Sequence, residues 1–140
     1  MNKQFMRWLT ILTLTLPNLL WAQDTAWITD KNGCRIANIA PQDGESADWS
    51  GACQQGLAHG SGTLTWSVSG VVTEVYQGSM ANGYADGQGK LWRRGGAYVG
   101  EWKRSLQHGR GKMRTPDGQV LDGEWNKGEW VEPDAMPNKT

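Results

Sequence analysis

Phenylalanine is almost absent from this sequence: its 140 residues include a single Phe against 19 Gly. That balance speaks against a thick globular core and suits a thin sheet with stacked aromatics. Cysteine is limited to Cys34 and Cys53, with 18 residues between them, which is poor spacing for a zinc site. Histidine is limited to His59 and His108, and no motif sets either beside a nucleophile and an orienting acid. None of the Gly-x-Gly pairs continues to a phosphate-cradling G-x-x-G or G-K-[ST]. The longest apolar stretch, Trp8 to Leu20, is broken at Pro17-Asn18 and falls short of the roughly 20 residues of a spanning helix. These absences lead us to expect no catalytic residue, no metal, no cofactor and no nucleic-acid partner.

What the chain has instead is a recurring unit. Trp49-Ser50-Gly51-Ala52-Cys53 is followed by Gly56 and His59-Gly60-Ser61-Gly62-Thr63-Leu64. Tyr76-Gln77-Gly78-Ser79-Met80 is followed by Gly83 and Asp86-Gly87-Gln88-Gly89-Lys90-Leu91. Tyr98-Val99-Gly100-Glu101-Trp102 is followed by Ser105 and His108-Gly109-Arg110-Gly111-Lys112-Met113. A fourth copy, Leu121-Asp122-Gly123-Glu124-Trp125 with Gly128, stops before its Gly-x-Gly. Starts at 49, 76, 98 and 121 give periods of 27, 22 and 23 residues, in the range of stacked arrays.

Within each copy, alternation puts Tyr98, Gly100 and Trp102 on one face of the first strand, and Gly109, Gly111 and Met113 on the same face of the return strand. Gly100 has no side chain, so aromatic rings can lie over its backbone. The slot before Gly-x-Gly, filled by His59, Asp86 and His108, reads as a position that serves the repeat's turn rather than a catalytic one.

The unit resembles the MORN repeat, roughly Y-x-G-x-W, a Gly turn, then (H)-G-x-G-x-(apolar). The third copy matches best and the fourth only in its first half; Cys53, Met80, Ser105 and Asp86 depart from the pattern. The resemblance implies an all-β fold: an elongated single-layer antiparallel sheet of stacked hairpins. It implies less about function, since such repeats occur in scaffolds, in membrane-associated proteins and as accessories to enzymes.

Lys3 and Arg7 precede the apolar stretch, which ends Leu20-Trp21-Ala22, so a secretory signal over residues 1–22, cleaved after Ala22, is expected. The remaining 118 residues carry 12 basic and 14 acidic side chains, or −2, and are expected to form one domain. Export favours a disulfide between Cys34 and Cys53. Ala26-Trp27-Ile28-Thr29, the turn Asp30-Lys31-Asn32-Gly33, and Cys34-Arg35-Ile36-Ala37 read as a hairpin, which with its following loop forms an N-terminal cap over 23–47. The array then spans 48–130, and 131–140 reads as a disordered tail. Thr63 to Gln77 contains the array's one irregular feature, an extended hairpin. The cysteine hairpin joined to Asp48-Trp49-Ser50-Gly51-Ala52-Cys53 looks like a bacterial exported subset of MORN proteins, periplasmic or secreted.

Charge is distributed unevenly. Residues 90–114 hold eight basic side chains against Glu101, or +7, while residues 23–89 sum to −5 (two basic, seven acidic) and 115–140 to −4 (two basic, six acidic). Arg110, Lys112 and Arg114 alternate with the inward residues and should project from the opposite face. They either bind an anionic partner or pair with Glu101, Asp122 and Glu124 in a cross-strand ladder. Arg93, Arg94, Lys103 and Arg104 lie in turns without evident partners, and Tyr84 and Trp92 fall outside the packing register. These nine residues are the candidate binding set. The expected function is a non-catalytic binding or scaffold module that docks a protein partner, homo-oligomerisation being possible. The alternative is association with anionic lipid or envelope polymer through the basic turns.

Overall fold

In a computed structural model, residues 25–133 are described; the expected signal and most of the expected tail lie outside them. The elements of the described residues are all strands: β1 Ala26–Thr29, β2 Arg35–Asn38, β3 Glu45–Trp49, β4 Ala52–Gln54, β5 Leu57–Val68, β6 Val71–Ala81, β7 Tyr84–Arg93, β8 Gly96–Lys103, β9 Leu106–Arg114, β10 Val120–Asn126 and β11 Glu129–Trp130. They form one open sheet of order β1-β2-β5-β6-β7-β8-β9-β10-β11, with β3 and β4 both pairing with β5. The fold is the single-layer array of antiparallel hairpins that the repeat implied.

Hairpin geometry follows from the turn residues. Gln55-Gly56, Ser69-Gly70, Asn82-Gly83, Arg104-Ser105 and Lys127-Gly128 have positive φ at both positions. That is the type I′ combination, whose twist matches the flanking strands. On one end of the sheet these turns stack on the preceding copy: Gly83 N donates to Ala58 O (2.9 Å), Ser105 N to Ala85 O (2.9 Å) and Gly128 N to Gln107 O (2.9 Å). Each repeat is thereby tied to its neighbour.

The two glycines of Gly-x-Gly serve different needs. The first adopts positive φ, at 76° in Gly60, 95° in Gly87 and 56° in Gly109. Register shifts accompany it between Gly78 and Met80 and between Gly100 and Glu101. The slot holding His59, Asp86 and His108 therefore precedes this irregular glycine within a strand, and is not in a turn as expected. The second glycine lies in a row across six strands, Gly62, Gly78, Gly89, Gly100, Gly111 and Gly123, each opposite the next.

Aromatic rings cover that row. Tyr98 lies over Gly100 and Gly111, Tyr76 over Gly78 and Gly89, and Trp49 over Gly51 and Gly62. Tyr98 is 1% exposed and contacts Trp102 and Trp125 edge-on, at centroid distances of 5.0 and 5.3 Å. The polar tips of these rings are satisfied by backbone: Tyr76 Oη donates to Ser79 O (2.7 Å), Tyr98 Oη to Glu101 O (3.0 Å), Trp102 Nε1 to Gly89 O (3.1 Å) and Trp125 Nε1 to Gly111 O (3.1 Å). Beside the glycines runs a second inward row, Trp49, Leu64, Tyr76, Leu91, Tyr98, Met113 and Leu121. Trp49, Leu64, Tyr76 and Tyr98 of this row join Met80, Trp102, Trp125 and the cap's Cys34 and Ile36 in the core, and Leu91, Met113 and Leu121 pack against it.

The N-terminal hairpin β1–β2 docks on the turn end of the first two copies, through Arg35 N to Gly56 O (2.9 Å) and Ala37 N to Gly83 O (2.8 Å). Cys34 is bonded to Cys53 of β4, with Cα atoms 5.7 Å apart, an ordinary disulfide separation. The long β5–β6 hairpin does not stand free. Its outer strand pairs with β3, and its tip bonds back through Ser69 N to Gly44 O (2.9 Å).

Candidate binding surface

Antiparallel hairpins send successive turns to opposite ends of the sheet, and this divides the candidate residues. Arg94 sits in the turn after β7 with Arg93, Trp92 and Arg114 beside it; Lys103, Arg104 and Tyr84 are at the other end. The strands between are 8 to 10 residues long, roughly 25 to 35 Å at the usual rise. The four turn cations therefore do not form one patch.

At the second end the candidates are partnered. The Arg104 guanidinium lies 4.5 Å from the Tyr84 ring centroid, and its Nη2 donates to Tyr84 Oη (3.3 Å). Tyr84 also meets Trp27 edge-on at 5.5 Å, and Arg35 lies 5.5 Å from the Trp27 ring centroid. This stack fastens the cap to the array. Lys103 is exposed at the end of β8.

The middle of the outer face is a charge ladder. Lys112 pairs with Asp122 (2.9 Å) and Arg110 with Glu124 (3.8 Å). Glu101 does not sit opposite Arg110, because the irregularity at Gly109 places it opposite His108. Its carboxylate instead lies over Gly109 and accepts the Arg110 backbone N–H (3.1 Å). All these carboxylates are solvent-accessible, so the pairs stabilise by no more than about 1 kcal/mol each.

The first end keeps unpaired cations beside apolar surface. On the outer face Trp92 is 43% and Val99 47% exposed, with Lys90 opposite Val99 and Arg114 opposite Ala97. Among the described residues no ion pair holds Lys90, Arg94 or Arg114.

The inner face carries a feature outside the candidate set. A groove of about 280 Å³ has Leu64, Tyr76, Leu91 and Trp102 in its lining, with Trp66, Glu74 and Arg93 toward one end and Ser105 to Gln107 toward the other. The cap loop that follows β2 forms its wall: Ile39 is 52% exposed, and Glu45 holds the loop by accepting from Asn38 Nδ2 (2.6 Å) and Gln42 N (3.1 Å). A smaller hollow continues past Arg93 to Met113 and Pro116. Nothing in the repeat pattern marks this wall, because the loop precedes the first copy; the one available signal was an apolar Ile39 leading into a polar segment.

Burial makes the phenols of the inner face, Tyr76 in the groove and Tyr98 in the smaller hollow, weaker acids. Desolvation, helped by the nearby Glu101 carboxylate, pushes Tyr98 up to about 12, and Tyr76 is raised further by desolvation and Asp86. Both stay neutral donors across the ordinary pH range. Among the described residues no group of three His, Cys, Asp or Glu is placed to hold a metal ion.

The described residues thus form an open repeat sheet with a groove on its inner face and a basic-apolar patch on its outer face. The family model for the MORN repeat matches residues 54–71, 76–97 and 98–120, so the chain carries three consecutive MORN repeats. Two of those matches begin where the second and third copies were read, the first begins five residues later than Trp49, and the half-copy after 120 is not matched. The chain is also 32% identical over 85 residues to Alsin of Rattus norvegicus, covering 56% of this chain and 5% of that protein. It thus spans a small fraction of that relative. MORN repeats are modules for binding protein or membrane and do not constitute a known catalytic family.

Proposed function

We propose that this chain is a non-catalytic docking module that takes an extended segment of a protein partner into the inner groove, in an oxidising compartment outside the cytoplasm. The observation that carries the reading is the groove itself: an apolar aromatic floor with polar ends, walled by a loop that the disulfide-tied cap holds in place. Ligand sites combine apolar lining with a few polar groups in this way. A buried disulfide partner, Cys34 at 1% exposure, supports the compartment, since such bonds persist where thiols are oxidised.

The test is site-specific photocross-linking in the cell of origin. A photoreactive residue at Ile39, on the groove wall, should give a discrete protein adduct, and one at Val99, on the outer face, should not. Equal adducts from both positions, or none from Ile39, would refute groove docking.

A second reading rests on the patch formed by Trp92, Val99, Lys90, Arg94 and Arg114, an interfacial aromatic among cations that suits an anionic lipid surface. It predicts that the charge reversals Arg94→Glu and Arg114→Glu release the protein from anionic vesicles, with attachment that weakens as salt rises. Reversing Arg110 or Lys112, already paired, should change little. Unchanged co-sedimentation of the first pair ends this reading.

A further inference from the structure

We propose that two copies of this chain associate through the open edge of the half-built fourth repeat, pairing their β10 strands antiparallel about a two-fold axis at Leu121. This goes beyond groove docking and does not depend on it.

The edge exists because, among the described residues, the return strand of the fourth copy covers only the end of β10. β11 pairs only through Trp125–Trp130 and Asn126–Glu129, and Val131 N then donates to Glu124 O (2.9 Å). Two residues further, Pro133 has no N–H to continue a ladder. Backbone groups of an antiparallel strand alternate in direction. Since Glu124 O faces β11, the N–H and C=O of Asp122 and Val120 also face away from β9, and among the described residues no strand meets them. A row of unpaired donors and acceptors of this kind is a template for another strand.

The edge is complementary to itself. With Leu121 on the axis, Val120 lies opposite Asp122 of the second copy and Asp122 opposite Val120, so the outward groups form two reciprocal hydrogen-bonded pairs. Leu121 then faces its own counterpart in the close, non-hydrogen-bonded position, on the inner face, where the apolar row through Leu91, Tyr98 and Met113 otherwise ends in solvent. No like charges are placed directly opposite, because Asp122 is held by Lys112 and meets a valine that is 53% exposed.

The ends fit as well. Opposite Gly123 and Glu124 would come Gln119 and Gly118 of the second copy. That is where the chain bends away, with Gly118 N bonded to Thr115 O (2.9 Å), so it clears the Val131 that covers Glu124. A long foreign strand running in the same direction would instead collide with β11. Self-pairing thus uses the edge to its available length, and it joins two sheets with both inner faces on one side. A dimer would present two grooves to one partner, raising apparent affinity for any ligand that spans them.

The experiment is sedimentation velocity across a concentration series, with two variants. Val120→Pro removes an N–H that faces away from β9, a placement proline tolerates in an edge strand. It should leave the circular dichroism spectrum and Tm unchanged and weaken dimerisation about tenfold or more. Leu121→Cys should form a disulfide-linked dimer readily in a glutathione buffer, because the paired thiols sit at the closest approach; Val99→Cys, more exposed than Leu121 but central on the outer face, should not. A protein that is monomeric at its highest soluble concentration overturns the proposal. So does Leu121→Cys cross-linking no faster than Val99→Cys, and that result decides the matter even if Val120→Pro fails to fold.

Discussion

Gly111→Ala asks whether the glycine row is there for its absent side chains or for backbone freedom. In an ordinary strand, Ala is favoured over Gly by roughly 0.5 to 1 kcal/mol because it loses less conformational freedom on folding. Were the site open, the substitution should stabilise. The three nearest atoms to a methyl at Gly111, however, all belong to Tyr98, with Cε2 at 2.6 Å and Cζ and Oη closer. Ordinary contact requires the ring to withdraw by about 1 Å, and Trp102 and Trp125 flank it while its hydroxyl is bonded to Glu101 O. Overpacking of a fixed core costs roughly 1 to 3 kcal/mol, and loss of the hydroxyl bond about 1 more. Set against the Ala preference, the net is a destabilisation of roughly 1 to 3 kcal/mol, or about 5 to 20 °C in Tm for a domain of this size. Denaturant unfolding of Gly111→Ala, Tyr98→Leu and the double variant measures it. The cost of the methyl should fall by about 1 kcal/mol or more when the ring is gone. A neutral or stabilising Gly111→Ala, or a cost that is unchanged in the Tyr98→Leu background, would refute the account.

Three further outcomes follow from the same geometry. Ser105 has φ of 65° and its Oγ accepts from Ala85 N (3.1 Å); both Ser105→Ala and Ser105→Gly lose that acceptor, but glycine sheds the backbone strain, so thermal unfolding should find it about 1 kcal/mol more stable than alanine. Replacing Cys34 and Cys53 by Ser should cost about 3 kcal/mol, and hydrogen exchange should accelerate at the amides of Arg35 and Ala37, which join β2 to the turns, well before those of β7 to β9. The raised Tyr98 value implies a pH limit: the phenol ionises at 10.0 when unfolded but only at about 12 when folded. Its contribution is therefore complete below pH 10 and is lost as pH climbs toward 12, and Tyr98→Phe should flatten that alkaline decline in Tm.

Much of this fold is legible in the chain because the repeat encodes local geometry. Asn82-Gly83 and Lys127-Gly128 announce two-residue turns, and the Tyr98-x-Gly100-x-Trp102 alternation fixes which face is inward. Two adjacent copies laid side by side even predict which cations find partners, since Asp122 and Glu124 of the fourth fall opposite Lys112 and Arg110 of the third. Two things escaped. The positive φ at Gly109 shifts the register between β8 and β9, and no pairing rule based on strict alternation anticipates that Glu101 would cap the Arg110 N–H instead of facing its side chain. The groove escaped because its wall is not part of the repeat: Ile39 and Glu45 reach Leu64 and Tyr76 only after the cap has folded back across the first two turns.

The clearest lesson concerns the basic turns. In sequence, Arg93, Arg94, Lys103 and Arg104 fall within a dozen positions and look like one cluster. A meander separates them, because each strand carries the chain the full width of the sheet before the next turn. Proximity in a hairpin array instead joins residues one full period apart, which is why Tyr84 meets Arg104 and Ser105 meets Ala85. Residues that act together in such a protein should therefore be sought at equal places in successive copies. By that rule Lys90, Lys112 and Asp122 belong to one row and Trp92 and Arg114 to the next, and the outer patch, not the run of turn arginines, is the unit that a charged ligand would meet.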